Sequence, residues 1–221
     1  MEFWQTITER KSIRVFKPDP VPRDLIVKIL GAGMLAPSSA NMQPWEFVVV
    51  CGEEKNKLSE LLLQVFKNKG ENYDFEGKQI QFPPALIQRR SEFFKELFQK
   101  LECWGINPKL FLQESTLRFW DAPVVILVFM DGRMAGRFFF DVGACVQNIS
   151  LAAKADGLDT HLIGLILKYQ NTIKEFLNLA PDKRLAVGVC LGYADTTHPI
   201  NDFQPRRVGL EQVAKWVGFT E

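Results

Sequence analysis

The first residues whose types suit ligand binding are three cations and a hydroxyl close together near the start of the chain: Arg10, Lys11, Ser12 and Arg14. An Arg guanidinium is a planar fork that binds two phosphate oxygens at once, and a Lys adds a point charge. The cluster could therefore bind a phosphate, although cations at a helix end are also typical of a solvated surface. A second basic pair, Arg206 and Arg207, leaves the same two interpretations open.

A polar loop between two prolines, "APSSANMQPW", follows the first predicted helix pair. Its side chains carry both hydrogen-bond donors and acceptors, and the prolines restrict the backbone around them. Such a loop could bind the edge of a planar heterocycle. The alternative is a turn whose side chains bond their own backbone, which is common for these residue types.

The stretch before this loop matches the degenerate G-x-G-x-x-A pattern of a dinucleotide-binding loop, at Gly31, Gly33 and Ala36. A phosphate-binding loop of this kind must follow a strand and open a helix, because the phosphate binds free helix N–H groups. Here the glycines fall late in a helix that begins near Pro22. We therefore expect them to permit close helix packing and to bind no nucleotide.

Composition excludes several classes of protein. The chain has 221 residues, a formal net charge of +1 and 47% apolar residues, so no charge imbalance indicates nucleic acid or membrane binding. The N-terminus lacks a signal-peptide pattern, and the apolar run from Val124 to Met130 is too short to span a bilayer. Four scattered cysteines without a C-x-x-C pair, and two histidines, predict a reduced cytoplasmic protein without a metal site.

Hydrophobic periodicity predicts helices interleaved with strands, in a single α/β or α+β domain spanning 1–221. The predicted strands are 46–51 and 122–130, both buried, and then 160–167 and 184–193. The predicted helices are 2–10, 22–34, 53–67, 85–102, 108–118, one from Phe138 that ends at Gly157, 170–178 and 210–217. The polar stretch 68–84 predicts a loop, and 68–120 is a candidate lid or pocket wall that contains Tyr73, Trp104 and Trp120.

Several separate motifs, in order, cover essentially the whole chain: "RKSIRVF", "APSSANMQPWEFVVV", "WDAPVVILVF", "DVGACVQNISLAAKADGLDTHLIG" and "LGYADTTHPINDFQPRRVGLEQV". Together they resemble the flavin-dependent nitroreductase family. This resemblance implies an α+β fold with a mixed central β-sheet surrounded by helices. It also implies an intertwined homodimer with one FMN at each interface, bound by both chains.

The resemblance assigns two groups of residues in the basic segments to the flavin. Arg10, Lys11, Ser12 and Arg14 resemble the cluster that binds the phosphate, the ribityl chain and the pyrimidine carbonyl edge. Arg207 matches the family's C-terminal arginine, which would complete the phosphate site, whereas the adjacent Arg206 matches less well.

Two further segments are assigned in the same way. The loop residues that resemble the family's contact from the partner subunit are Pro37, Ser38, Ser39, Asn41 and Gln43, with Asn41 on the pyrimidine edge. Leu162, Ile163 and Gly164 resemble the segment whose backbone N–H groups face flavin N5 and O4. Here the chain departs from the common pattern, since many relatives carry Cys or Pro in place of His161 and Gln or Glu in place of Ile163. His161 alone is typical of a packed histidine with a satisfied ring.

The function that the resemblance implies is a two-step, ping-pong exchange. NAD(P)H reduces the flavin and leaves, and a nitroaromatic, quinone or related conjugated acceptor then takes the electrons. The chemistry lies on the flavin, so no catalytic side chain is expected. Two alternatives stay open: a reductive dehalogenase of the same fold, with Glu71, Tyr73 and Lys78 as a weak lid pattern, and a non-catalytic flavin-binding or storage protein.

Overall fold

A four-stranded sheet forms the centre of the computed structural model, which describes residues 1–69, 82–134 and 136–219. The strands are β1 (Glu46–Cys51), β2 (Val124–Asp131), β3 (Asp159–Ile163) and β4 (Lys183–Gly192), in the order β1-β2-β4-β3. All three strand pairs are antiparallel. The loop predicted over 68–84 falls mostly on residues 70–81, which lie outside the described residues.

The N-terminal segment adds the parallel component of the sheet. Ser12 forms a parallel bridge with Thr160 of β3, and Phe16 forms an antiparallel bridge with Ala194, just after β4. The predicted α+β class is therefore confirmed, but the four named strands form an antiparallel sheet and not a mixed one. The parallel part is confined to this one bridge among the described residues.

Seven α-helices in the described residues surround the sheet: α1 (Phe3–Glu9), α2 (Arg23–Met34), α3 (Gly52–Lys69), α4 (Pro84–Cys103), α5 (Pro108–Leu117), α6 (Phe138–Ala155) and α7 (Gln170–Phe176). The predicted end of α6 is confirmed, because Gly157 takes a left-handed φ of 80° there. This conformation is easy for glycine and lets Leu158 N–H bond the Ala153 carbonyl at 2.8 Å.

Strand β2 separates two hydrophobic layers, because successive side chains of a strand point to opposite faces. Val125, Leu127 and Phe129 pack in the layer that contains side chains of α3, α5 and α7. Val124, Ile126, Val128 and Met130 pack in the layer of α2 and α6. A third, smaller cluster joins Leu97 and Leu101 of α4 to Ile200 and Phe203, so α4 is held by the C-terminal segment.

Three predictions of local structure were wrong in part. Strand β1 is a sheet edge with only Val50 buried, because it pairs with β2 alone. The third strand ends at Ile163, and Leu165–Tyr169 forms a 3-10 helix, since a short apolar run does not distinguish strand from helix. The helix predicted over 210–217 is only a 3-10 turn, Leu210–Gln212. Its apolar side chains are exposed in this chain, so no packing stabilises a longer helix.

The glycines of the apparent dinucleotide motif lie inside α2, as expected. A Cβ atom built on Gly33 would lie 2.6 Å from Ile149 Cγ1 and 3.3 Å from Cys145 Sγ, both on α6. Gly31 has no heavy atom within 4 Å of such a position. Close packing of α2 on α6 therefore requires Gly33 and makes no demand on Gly31.

These two glycines form a matched pair for a stability test by urea denaturation. Gly33→Ala should lower the free energy of unfolding by about 1–3 kcal/mol, because the added methyl group overpacks the α2–α6 contact. Gly31→Ala should raise it by up to about 1 kcal/mol, since alanine is the better helix former. Equal changes in the two variants would contradict this account of the motif.

Candidate functional site

The basic segment near the N-terminus lies along the β3 edge of the sheet. Beyond the Ser12–Thr160 bridge, the Ile13 N–H donates to the Thr160 carbonyl at 3.1 Å, and the Ile13 side chain is buried. Further along, the Lys17 N–H donates to the Tyr193 carbonyl at 2.8 Å. The sheet therefore fixes the backbone on which the predicted flavin-binding cations are mounted.

A buried amide, Asn201, joins this segment to the C-terminal part of the chain. Its Oδ1 accepts from the backbone N–H groups of Arg14 (2.8 Å) and Val15 (3.2 Å). Its Nδ2 donates to the carbonyls of Val15 (2.7 Å) and Asp195 (2.9 Å). Sequence reasoning missed Asn201, because a single Asn in "HPIND" has the same signal as any loop residue.

A cleft of about 400 Å³ brings together four of the predicted site residues from the two ends of the chain: Arg10, Lys11, Ser12 and Arg207. Lys11 Nζ lies 3.8 Å from the exposed Asp202 carboxylate, a loose ion pair. Within the described part of the chain, Arg207 Nη1 donates only to the Pro205 and Arg206 carbonyls, at 2.9 and 3.4 Å. Arg10 pairs with no carboxylate among the described residues. The cleft therefore has a surplus of positive charge and of free donors for an anion.

Arg206 lies outside this cleft. Its Nε is 3.8 Å from Glu96 of α4, and it lines a neighbouring cavity of about 530 Å³ together with Lys100 and Trp104. The structure thus separates two adjacent arginines that residue type alone leaves ambiguous and that the family resemblance distinguishes. Arg207 is the one that joins the basic segment.

Arg14 lies apart from the other cations because its side chain is buried. Its guanidinium carbon lies 5.4 Å from the centre of the Phe203 ring, and Nη1 donates to the Ser12 carbonyl at 3.3 Å. Burial lowers the pKa of Arg14 to about 10, so the group is still a cation at neutral pH. Its buried Nε has no acceptor among the described residues. An unpaired buried donor is costly, so this atom fits a ligand carbonyl placed beside it.

His161 is packed, as its type predicts, and one of its two ring nitrogens is hydrogen-bonded to the backbone. Nδ1 lies 2.9 Å from the Ile13 carbonyl oxygen, and the ring packs at a tilt of 36° against Trp120 with centroids 4.5 Å apart. Burial, with a smaller effect from Arg14, lowers the pKa of His161 to about 3. The imidazole is therefore neutral, and Nδ1 carries the proton because a carbonyl can only accept.

Trp120 belongs to the segment 68–120 that the sequence predicts as a lid or pocket wall. In the structure it is buried against His161 and Phe111 and does not form an outer pocket wall. It lies in a turn where Phe119, Trp120 and Asp121 all have φ near 55°. Three successive non-glycine residues in the left-handed region carry a conformational cost of about 1 kcal/mol or more each. Within this turn the Trp120 side chain is buried and contacts His161 of β3.

The segment from Leu162 to Gly164 ends β3 beside these residues. The Ile163 side chain is buried in the core, opposite Gly188 of β4, whereas Leu162 and Gly164 are exposed. The Gly164 carbonyl accepts from the Leu167 N–H at 3.1 Å as the 3-10 helix begins. Since the Ile163 side chain is in the core, any ligand contact here must come from the backbone or from Leu162.

The polar loop does not line the cleft of its own chain. It is held by the buried Asp141 of α6, whose Oδ2 accepts from the Ser39 N–H at 3.0 Å. Ser38 Oγ accepts from the Gln43 N–H at 3.0 Å, and the Gln43 side chain donates to the Asn41 carbonyl at 3.3 Å. Ser38 and Gln43 thus bond the loop's own backbone, the alternative interpretation, while Pro37, Ser39 and Asn41 stay exposed.

The described residues contain neither a metal-binding cluster nor a disulfide. Within 1–69, 82–134 and 136–219, no group of three or more His, Cys, Asp or Glu side chains could hold a metal ion. All four cysteines are free, and burial raises the pKa of the Cys145 thiol to about 12. None of the helices in the described part of the chain is long and apolar enough to cross a membrane.

The chain has an α+β fold and gathers cations from both ends of its sequence at one sheet edge. Comparisons with known proteins identify its family. The model of the nitroreductase family matches residues 7–193. The chain therefore belongs to the nitroreductase family.

Three relatives illustrate the range of the match. A chloronitrobenzene nitroreductase of Comamonas testosteroni is 31% identical over 217 residues, covering 96% of this chain and 95% of the relative. The crystal structure of the FMN-dependent nitroreductase NfnB from Mycobacterium smegmatis, in complex with NADPH, has a TM-score of 0.89 at 29% identity and covers 97% of each chain. Iodotyrosine deiodinase 1 of Sus scrofa is 22% identical over 222 residues, covering 96% of this chain and 67% of the relative.

Proposed function

We propose that this chain is an FMN-dependent oxidoreductase that transfers electrons from NAD(P)H to nitroaromatic and related conjugated acceptors, quinones included. The observation that carries the proposal is the cleft in which Arg10, Lys11, Ser12 and Arg207 converge beside the buried Arg14. The nitroreductase relatives, which cover nearly the whole chain, support the same activity. The four free cysteines favour a reducing, cytoplasmic location.

The cleft suits the phosphate end of the cofactor. A phosphate monoester carries a charge of about −1.5 to −2 at pH 7, and its oxygens accept several strong hydrogen bonds. We assign Arg10, Lys11 and Arg207 to this charge, with Ser12 as a neutral donor or acceptor on the ribityl side. The loose contact of Lys11 with Asp202 leaves its ammonium group available.

Arg14 suits the other end of the cofactor, the pyrimidine ring. When bound, FMN supplies the hydride chemistry, and the protein supplies binding, orientation and electrostatics. The unpaired Arg14 Nε would donate to a ring carbonyl. The buried Arg14 cation would also stabilise the negative charge that the ring gains on reduction, as donors do in an oxyanion hole. We assign the backbone at Ile163 and Gly164 to the orientation of the reacting edge, at the exposed end of β3.

A second copy of the chain completes the site in this proposal. The loop 37–43 is exposed and absent from its own cleft, so its predicted flavin contact through Asn41 must be made in a partner's site. Large apolar side chains are also exposed on α1 (Phe3, Trp4) and near the C-terminus (Trp216, Phe219). Burial of these side chains against a partner would stabilise an intertwined homodimer.

The two alternatives are less well supported. The dehalogenase hypothesis depends on three residues that lie outside the described residues: Glu71, Tyr73 and Lys78. The deiodinase relative is also less similar to this chain than the nitroreductases are. A storage protein would need the same cleft, so only turnover distinguishes it from an enzyme.

We propose that exposed residues of α4 together with Trp104 contribute to the acceptor pocket.

Anaerobic half-reactions test the proposed activity directly. NADH or NADPH should bleach the flavin absorbance of the purified protein, and a nitroarene added afterwards should restore it. Because the two substrates react in turn at one position, double-reciprocal plots of rate against NAD(P)H concentration should be parallel at several fixed acceptor concentrations. Flavin that neither nucleotide reduces would indicate the storage protein, and restoration by iodotyrosine but not by the nitroarene would indicate the dehalogenase.

Adjacent arginines give a matched test of the phosphate assignment. Arg207→Ala should weaken FMN binding to the apoprotein by about 1.5–3 kcal/mol, the usual range for hydrogen bonds to a charged group. Arg206→Ala should change it by less than about 1 kcal/mol, because this exposed side chain faces Glu96 in the neighbouring cavity. Titration of each apoprotein with FMN at low salt, followed by flavin fluorescence, measures the FMN affinity of both variants. Equal losses would mean that general charge, rather than the cleft, attracts the cofactor.

Mixed dimers test whether the loop serves the partner's site. Asn41→Ala and Arg207→Ala chains with different tags are co-expressed, and the heterodimer is isolated through both tags. If the loop acts across the interface, one of its two sites is intact and binds FMN with wild-type affinity. The control heterodimer pairs a wild-type chain with a doubly substituted chain, and each of its sites carries one defect. The reverse pattern would show that the loop serves its own chain.

A further inference from the structure

The peptide unit between Ile13 and Arg14 is bonded at both of its polar groups by residues distant in sequence. Its carbonyl accepts from His161 Nδ1 at 2.9 Å, and its N–H donates to Asn201 Oδ1 at 2.8 Å. A peptide unit is planar, so two bonds on opposite sides fix its rotation. This unit carries the Cα of Arg14 directly.

The Arg14 side chain depends on that backbone for its direction. Its hydrogen bond to the Ser12 carbonyl is long, 3.3 Å, and Nε has no acceptor among the described residues. Contact with the Phe203 ring at 5.4 Å limits the guanidinium on one side. No carboxylate of the described residues forms an ion pair with Arg14.

The imidazole that makes the bond is itself fixed. Its ring packs on Trp120 at 4.5 Å with the planes 36° apart, and Trp120 is held by the left-handed turn that precedes β2. The position of His161 in β3, opposite Cys190 of β4, adds the rigidity of a paired strand. Because the low pKa of His161 keeps the ring neutral, it adds no second cation beside Arg14.

We propose that His161 is a positioning residue for the cofactor: its hydrogen bond to the Ile13 carbonyl sets the orientation of the Ile13–Arg14 peptide, and through it the Arg14 guanidinium that faces the flavin pyrimidine. The inference rests on the proposed function, since it takes FMN as the ligand of Arg14.

Two substitutions separate the hydrogen bond of His161 from its ring contact with Trp120. His161→Phe keeps a ring on Trp120 but has no donor for the Ile13 carbonyl, whereas His161→Asn keeps a donor near the Nδ1 position but has no ring. The Phe variant should weaken FMN binding by up to about tenfold, the range for one neutral hydrogen bond. The Asn variant should stay within about threefold of wild type. Should His161→Phe not fold, His161→Leu, which also lacks a donor, replaces it.

The midpoint potential of the bound flavin gives a readout that loss of stability alone would not change. Displacement of Arg14 removes stabilisation of the reduced form, so His161→Phe should lower the potential while His161→Asn leaves it close to wild type. In an Arg14→Gln background, His161→Phe should cause no further shift, because its effect passes through Arg14.

Three results would overturn the inference: unchanged affinity and potential in His161→Phe, equal changes in the Phe and Asn variants, or a potential shift that persists in the Arg14→Gln background. Melting temperatures of the apoproteins serve as the control for stability. Failure of the proposed function is distinguishable from these, since the wild-type protein itself would then bind no FMN.

Discussion

The buried amide of Asn201 is the contact on which the whole site depends. Burial of an amide is costly unless its hydrogen-bonding groups are satisfied, and Asn201 satisfies them with four bonds to main-chain groups. Those bonds tie the basic segment to the chain that follows β4. The two halves of the cleft come from opposite ends of the sequence, and Asn201 anchors the C-terminal segment shortly before Arg207 joins Arg10 and Lys11 there.

Around this fixed backbone the cations have different roles. The cations that line the cleft are wholly or partly exposed, so each adds only modestly to the affinity for an anion and is screened by salt. Tight binding of an anion there therefore requires several of them together. Arg14 is buried, and its charge acts over a short distance in a medium of lower polarity, where electrostatic effects are larger. The neutral His161 next to it supports the arginine without competing with it. One set of residues is thus suited to holding a cofactor and another to adjusting its chemistry.

What could be predicted from the sequence was whatever depends on local pattern. The uninterrupted apolar run of β2, the stripe of α6 and its end at Gly157 each predicted the observed element. The edge position of β1 and the end of β3 at Ile163 depend on which strands pair, which no local pattern encodes. In the site, residue types and family resemblance indicated the cations. The contact of Arg206 with Glu96 of α4 and the role of Asn201 could not be predicted, because both join residues that are far apart in the sequence.

The central claim is that the cleft at the β3 edge binds the phosphate of FMN, and a comparison of FMN with riboflavin tests it most directly. The two ligands differ only in the phosphate group. Titration of the apoprotein at low salt should show FMN binding at least about tenfold more tightly than riboflavin, since charge-assisted bonds contribute about 1.5–3 kcal/mol each. The difference should shrink as ionic strength rises. Equal affinities for the two ligands at low salt would contradict the account.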